Sequence, residues 1–420
     1  MVKLVSNATT LFLISLAALT QAQKQSGSQS HAECSKDVTG TGQGDLDVIK
    51  TCKTFTGNIL MEKSPVGQLT LEGVEEMTGD LIIKSSDALH TFSAPNLKKV
   101  GGQLSIIDNT QLEKLDMPSL TEVKNLTLSV LPVLDQIQFP AGLSKVDDMR
   151  IEDVKAASIE GLQMESLNSF TLAQNNYMKK FDFPAKELKG KLYVAGNGHE
   201  MNFEAKQLVS IQSATFRDLG EINLPALAHV TSDISFHQNG FSKLELDSIE
   251  DIGGTLAIEN NDHLSETSFK ALNLIHGALS VGNNTALTTL GGYPKLGAVH
   301  GTVDLAGSFD SYDFPVLQDI RGGMRVQTTS NQFPCPEVEK KLKMTSVVKG
   351  NVWSCKSGMD ASKMEPTIGQ GSGGDGSAPS MDKSGKPSSN SKSGQANSAA
   401  AGLSGSLSLV LAGIVLALGF

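Results

Sequence analysis

The stretch from Gly101 to Val123, GGQLSIIDNTQLEKLDMPSLTEV, holds one full unit of a pattern that fills the middle of the chain. Leu104 and Ile106 flank Ser105, the alternation of a strand with one buried face. Leu115, Pro118 and Leu120 then mark a corner, because proline brings no N–H to a strand ladder. The Gly101-Gly102 pair supplies the turn into the strand. The same apolar start recurs at Ile59, Leu81, Leu104, Leu126, Met149, Phe170, Leu192, Ala214, Ile234, Leu256, Leu279, Val303 and Met324, at intervals of 20 to 24 residues. A unit this short cannot bury its apolar face alone, whereas stacked neighbours bury a continuous one. The spacing therefore predicts an all-β chain: a parallel β-helix, or leucine-rich-like solenoid, of about 13 coils.

The corner signature repeats at Phe92/Pro95/Leu97, Ile222/Pro225/Leu227 and Tyr312/Pro315/Leu317. Five residues after the strand start, asparagine recurs at Asn109, Asn175, Asn197, Asn239, Asn261 and Asn284, with serine at Ser64 and Ser86. A short amide repeated at one turn can bond the backbone of the neighbouring coils, so a ladder along the stack is expected. Between the apolar strand positions lie Ser105, Thr127, Thr171, Tyr193, Thr215, Ser235 and Ser280, which alternation assigns to the solvent face. Thr171, Tyr193 and Thr215 are the candidate contact residues of that hydroxyl row. The sequons at Asn125 and Asn283 adjoin the inward residues Leu126 and Asn284, so both are expected to face outward and accept glycans.

Four cysteines flank the repeats, Cys34 and Cys52 before them and Cys335 and Cys355 after them. They permit three pairings. Local pairing is expected, each bridge closing a short loop in a cap that covers one open end of the stack.

Both termini carry targeting signals. Residues 1–22 read as a secretory signal peptide, with Lys3, an apolar run from Leu11 to Leu19 and small residues up to Ala22. Leu407 to Phe420 is apolar with no basic flank, and small residues around Asn397 lead into an uncharged spacer, the pattern of a GPI-attachment signal with Asn397 as acceptor and Gly394 and Ser398 as alternatives. The organisation expected is a signal peptide (1–22), an N-terminal disulfide cap (23–57), solenoid repeats (58–334), a C-terminal disulfide cap (335–357), a Ser/Gly-rich stalk (358–397) and a removed propeptide (398–420). Such a chain sits on the outer face of the plasma membrane, held through the GPI lipid, and in a cell wall.

The 45 acidic against 35 basic side chains give a net charge of −10 with no basic block, which argues against nucleic acid as a partner. Asp147 and Asp148 with His199 are the best candidates for glycan hydrolysis, since such enzymes use paired carboxylates. They fall on different units, with Arg150 and Glu152 ahead of His199 and Glu200, the wrong order for a pectinase. His237 and His263 lie on successive units without a metal-ligand spacing. No cofactor motif appears.

The repeat unit quoted above, the Cys34/Cys52 cap, the NQFPCPEVEK segment around Cys335, the Ser/Gly stalk and the apolar tail together resemble the fungal GPI-anchored ECM/SPS family of cell-wall organisation proteins. The repeats are similar to receptor L-domains, which implies a right-handed solenoid. The resemblance implies a non-enzymatic surface glycoprotein needed for wall organisation and integrity, with wall polysaccharide or wall mannoproteins as partners and no catalytic residue to carry over. A wall glycan hydrolase or transglycosidase, and a surface adhesin or receptor, are the alternatives.

Overall fold

The computed structural model describes residues 34–369. The expected signal peptide, most of the expected stalk, Asn397 and the expected propeptide lie outside them. The described chain is a parallel β-solenoid whose large sheet takes the repeat strand of every coil and, from many coils, a short strand just before it, such as Glu76–Met77 ahead of Leu81–Lys84. All thirteen strand starts fall in one register: Ile59 pairs with Leu81, Leu81 with Leu104, and so on to Val303 with Met324. Coils are numbered here from 1, at Ile59, to 13, at Met324.

The caps do more than cover the ends. Val38–Gly40 pairs with the strand of coil 1, and Trp353–Lys356 pairs with that of coil 13, so each disulfide segment adds a rung. The bridges are Cys34–Cys52 and Cys335–Cys355. Inside the caps, Leu46 and Ile49 at one end and Val338 and Leu342 at the other bury their side chains in the common core.

Coils 1 to 12 turn back through a further strand, and these form separate parallel strips, such as Gln68–Thr70, Thr91–Ser93 and Lys114–Asp116. The corner proline follows it: Pro95 begins a turn directly after the strip strand and Ala94. Phe92 and Leu97 on either side are fully buried. From coil 6 to coil 9 the interior is aromatic. Phe170, Phe181, Phe203, Phe216 and Phe236 follow one another with ring centroids 5.4 to 6.1 Å apart, in the stacked and tilted geometries that favour ring pairs.

The asparagine ladder is present in three runs. Asn261 Oδ1 accepts from both the backbone N–H and the Nδ2 of Asn239, at 2.9 Å each, while its own Nδ2 donates to Phe236 O. Asn284 repeats this one coil on. Asn175 and Asn197 form a second run, and Asn109 with Ser86 and Ser64 a third. The runs are separated where Leu131, Val154 and Leu219 occupy the ladder position. Before nearly every ladder residue the chain takes a positive φ, as at Asp108, Gln174, Gln238, Asn260 and Asn283, φ +53 to +59. Short polar side chains tolerate that left-handed turn better than most, and it points the next side chain into the stack.

Candidate functional site

The outward row of the large sheet runs Ser105, Thr127, Arg150, Thr171, Tyr193, Thr215, Ser235, Ala257, Ser280, Asp304 and Arg325. Over coils 4 to 9 it is open. Thr127, Thr171, Tyr193, Thr215 and Ser235 are half-buried, as side chains standing between neighbours on a sheet must be. Thr171, Tyr193 and Thr215 lie side by side on three successive coils. Lys191 sits 5.8 Å from the centre of the Tyr193 ring, and Ser235 Oγ bonds Thr215 Oγ1 at 3.2 Å. The result is a strip of hydroxyl groups with one aromatic face and one cation.

Ser105 and Ser280 depart from the expected solvent exposure, since both are buried. Ser105 is covered by its neighbours, Gln103 Nε2 donating to its hydroxyl. Ser280 is covered by a part of the chain assigned from composition to the stalk. Residues 364–369 cross the strands of coils 13 to 10 as a strap. Gln327 bonds both backbone groups of Glu365, its Nε2 donating to the carbonyl and its Oε1 accepting from the N–H, each at 3.0 Å. Arg325 donates to Pro366 O at 2.7 Å and to the Glu365 carboxylate at 2.8 Å. Asp304 accepts from Ile368 N at 2.9 Å, and Ser280 Oγ accepts from Gly369 N at 3.0 Å.

Beneath the strap the sheet is charged yet dry. Arg325 forks onto Asp304 through Nε and Nη2, at 2.7 and 2.8 Å, and the Asp304 side chain has no exposed surface. Burial opposes the Arg325 charge, but the bonds and charges of Asp304 and Glu365 together outweigh it and raise its pKa, so it stays charged. Glu259 is also fully buried. Burial pushes its carboxyl up to about 7, with the Asp304 charge adding to the rise and the hydroxyls of Ser280 and Thr367, both 2.6 Å away, opposing it. Two glycines make this seat possible: a Cβ on Gly282 would strike the Glu259 carboxylate and the Thr367 hydroxyl, and one on Gly369 would strike the same carboxylate. On the adjoining coil His237 is buried with Nε2 unbonded, and burial together with the Arg217 charge lowers its pKa to about 4.

The hydrolase candidates do not converge. Asp148 stands on the coil 5 sheet face, bonded by Asn168 Nδ2 at 2.8 Å, and Asp147 beside it is exposed. His199 stands at an exposed turn of coil 7, nearest to its neighbour Glu200. Among the described residues no group of three or more His, Cys, Asp or Glu side chains could hold a metal ion. No described helix is long and apolar enough to cross a membrane. Of the two sequon residues, Asn283 is exposed and Asn125 half-buried. What the sequence reading missed is the strap; its only signal is Thr367-Ile368, an apolar interruption at the head of a Gly/Ser-rich tail.

No family profile matches the chain, and no solved structure matches it. Curated relatives do. Sporulation-specific protein 2 of Saccharomyces cerevisiae is 28% identical over 75% of this chain, a match that spans 63% of the yeast protein. A cell surface GPI-anchored protein of Arthroderma benhamiae is 27% identical over 76% of this chain and 82% of its own length. Cell wall protein ecm33 of Schizosaccharomyces pombe is 26% identical over 78% of each chain. The two disulfides fit the oxidising, extracellular setting that these names describe. The chain is thus a homologue of the fungal ECM/SPS group of proteins, placed with them at the cell surface and in the wall.

Proposed function

We propose that the protein is a non-enzymatic scaffold of the wall that contributes to its organisation and integrity, and that the open part of its sheet face, around Thr171, Tyr193 and Thr215, contacts wall polysaccharide or mannoprotein. The supporting observation is the boundary of that face: the strap closes coils 10 to 13, while coils 4 to 9 keep hydroxyls, the Tyr193 ring and the Lys191 ammonium accessible. Convergent hydroxyls beside one aromatic plane suit sugars, whose rings are polar at the rim and apolar on the face. The rest of the proposed layout follows the sequence: a leader removed after Ala22, GPI attachment at Asn397, glycans at Asn125 and Asn283, and a tether that starts after Gly369 because 364–369 is held on the sheet.

The test is retention of the secreted chain from Gln23 to Ala396 on purified chitin, β-glucan and mannoprotein fractions, with reducing-sugar release followed in the same samples. Saturable retention lowered by Tyr193→Ala, Thr171→Ala and Thr215→Ala together is the expected result. Sugar release abolished by Asp148→Asn would make the protein an enzyme and end this reading.

A further inference from the structure

Where the strap meets the turns of coils 11 to 13 there is a groove of about 340 Å³. Asn283, Ala306, Ser308, Met364, Glu365 and Pro366 line it, so one wall is the strap and the other the solenoid. Coil 12 contributes only the small residues Ala306, Gly307 and Ser308 beside Asn283, which leaves the space open. The lining mixes an apolar patch, from Met364, Pro366 and Ala306, with a few polar groups at the rim, the composition of a small-ligand site.

The sequon beside this groove offers an occupant for it, an N-linked glycan on Asn283. Asn283 heads the sequon Asn283-Asn284-Thr285 and is exposed. Its neighbour Asn284 is fully buried and committed to the ladder, so the two amides are not interchangeable. Asn283 Nδ2 donates to Asn260 Oδ1 at 2.8 Å, and an N-linked amide keeps one N–H, so that bond survives modification. In the attachment step Nδ2 attacks the anomeric carbon of a lipid-pyrophosphate-linked oligosaccharide. The C1–N bond forms, the C1–O bond to pyrophosphate breaks, and one amide proton leaves.

The geometry points to a structural role for that glycan: its first N-acetylglucosamine occupies the groove, packs on Met364 and Pro366, and clasps the strap to coils 11 to 13. This rests on the chain being secreted. The sugar adds contact to a segment held around Glu365 and Pro366 by polar contacts, the Arg325–Glu365 ion pair and hydrogen bonds to Gln327 and Arg325.

The experiment uses the full secreted chain in three forms: glycosylated, trimmed by an endoglycosidase that leaves a single N-acetylglucosamine, and Thr285→Ala, which carries no glycan at Asn283. Hydrogen exchange is read at Ile368 and Gly369, whose amides bond Asp304 and Ser280. The first two forms should exchange alike and the third about fivefold or more faster in the strap alone, as expected when local opening becomes easier. Thr127→Ala, which removes the glycan at Asn125, should leave the strap unchanged. Should Thr285→Ala not be secreted, removal of the whole glycan from folded wild-type protein by a glycoamidase gives the same comparison. Equal exchange in all forms overturns the inference. So does mass spectrometry showing Asn283 bare on the secreted protein, a result that leaves the wall-scaffold reading intact.

Discussion

Arg150 and Arg325 stand in the same row of the same sheet, eight coils apart, and each meets a carboxylate. The Arg150 side chain is 54% exposed beside Glu152; that of Arg325 is 6% exposed and its partner Asp304 not at all. Identical chemistry on identical backbone thus serves two ends. On the open coils a charge is a contact group in water, worth little to the fold. Under the strap it is a fixed post that names where the returning chain must lie, and removing one partner strands the other in a dry site.

Breaking the covered pair should therefore have the largest effect. Arg325→Ala leaves Asp304 buried and uncompensated, and is expected to cost about 3–5 kcal/mol in denaturant unfolding and to free the strap to proteases. Arg150→Ala, its counterpart, should cost under ~1 kcal/mol. If the two substitutions cost the same, the strap does not exclude water and the contrast fails.

The next effect is a pH dependence of the covered half. Burial holds the folded Glu259 carboxyl up to about 7, against 4.5 for the free group, so the folded state binds the extra proton between those values. Its contribution to stability is complete below pH 4.5 and is lost as the pH rises through 7, an effect of up to about 3 kcal/mol. His237, lowered to about 4 from 6.5, acts oppositely: its neutral form supports the fold above 6.5, and that support is lost as the pH falls toward 4. Between pH 4.5 and 6.5 the two oppose each other. Glu259→Gln should thus stabilise the protein above pH 7 and uncover the His237 loss on acidification, both measurable as thermal midpoints across pH 4 to 8. An unchanged pH profile would show that Glu259 is solvated and the strap open.

A smaller effect tests what the two halves share. The Asn261 side chain bonds four groups of its neighbours in the interior: Oδ1 accepts from the backbone N–H and the Nδ2 of Asn239, and Nδ2 donates to Phe236 O and Asn284 Oδ1. Asn261→Ala should cost roughly 2–3 kcal/mol by leaving buried N–H groups unpaired, whereas Leu131 already fills the same position without an amide. Tyr193→Ala comes last, within ~0.5 kcal/mol in stability, its consequence being confined to wall retention.

The repeat was legible because burial imposes it on every coil. Leu104, Leu126 and Met149 must point inward in register, and that requirement writes itself as a 22- or 23-residue period. Asn109, Asn175 and Asn261 were legible for the same reason, as one turn geometry solved repeatedly. Thr171, Tyr193 and Thr215 follow from alternation as a row, though alternation says nothing of what touches them. The strap obeys no period. Glu365 to Gly369 occurs once, so its recognition by Gln327, Asp304 and Ser280 is written in residues that alternation assigns to solvent. The added rungs at Val38 and Trp353 escaped because neither carries the corner signature of the inner coils. The low overall content of aromatics concealed their concentration in coils 6 to 9.

The direction of the strap has a mechanical consequence. The chain passes coil 13 at Glu365 and reaches coils 11 and 10 at Gly369, so it leaves the described fold over the sheet face, two to three coils inside its C-terminal end. A pull applied beyond Gly369 meets the Ser280, Glu259 and Asp304 attachments before those of Arg325 and Gln327, opening them in succession like a peeled tape. Once the strap is stripped, the load meets the backbone bonds of Met359 and Gly358 to Thr328 and Ser330, and then Cys355 and its disulfide to Cys335. The strap thus lies in series with the covalent Cys335–Cys355 bridge, between the coils and any load beyond Gly369.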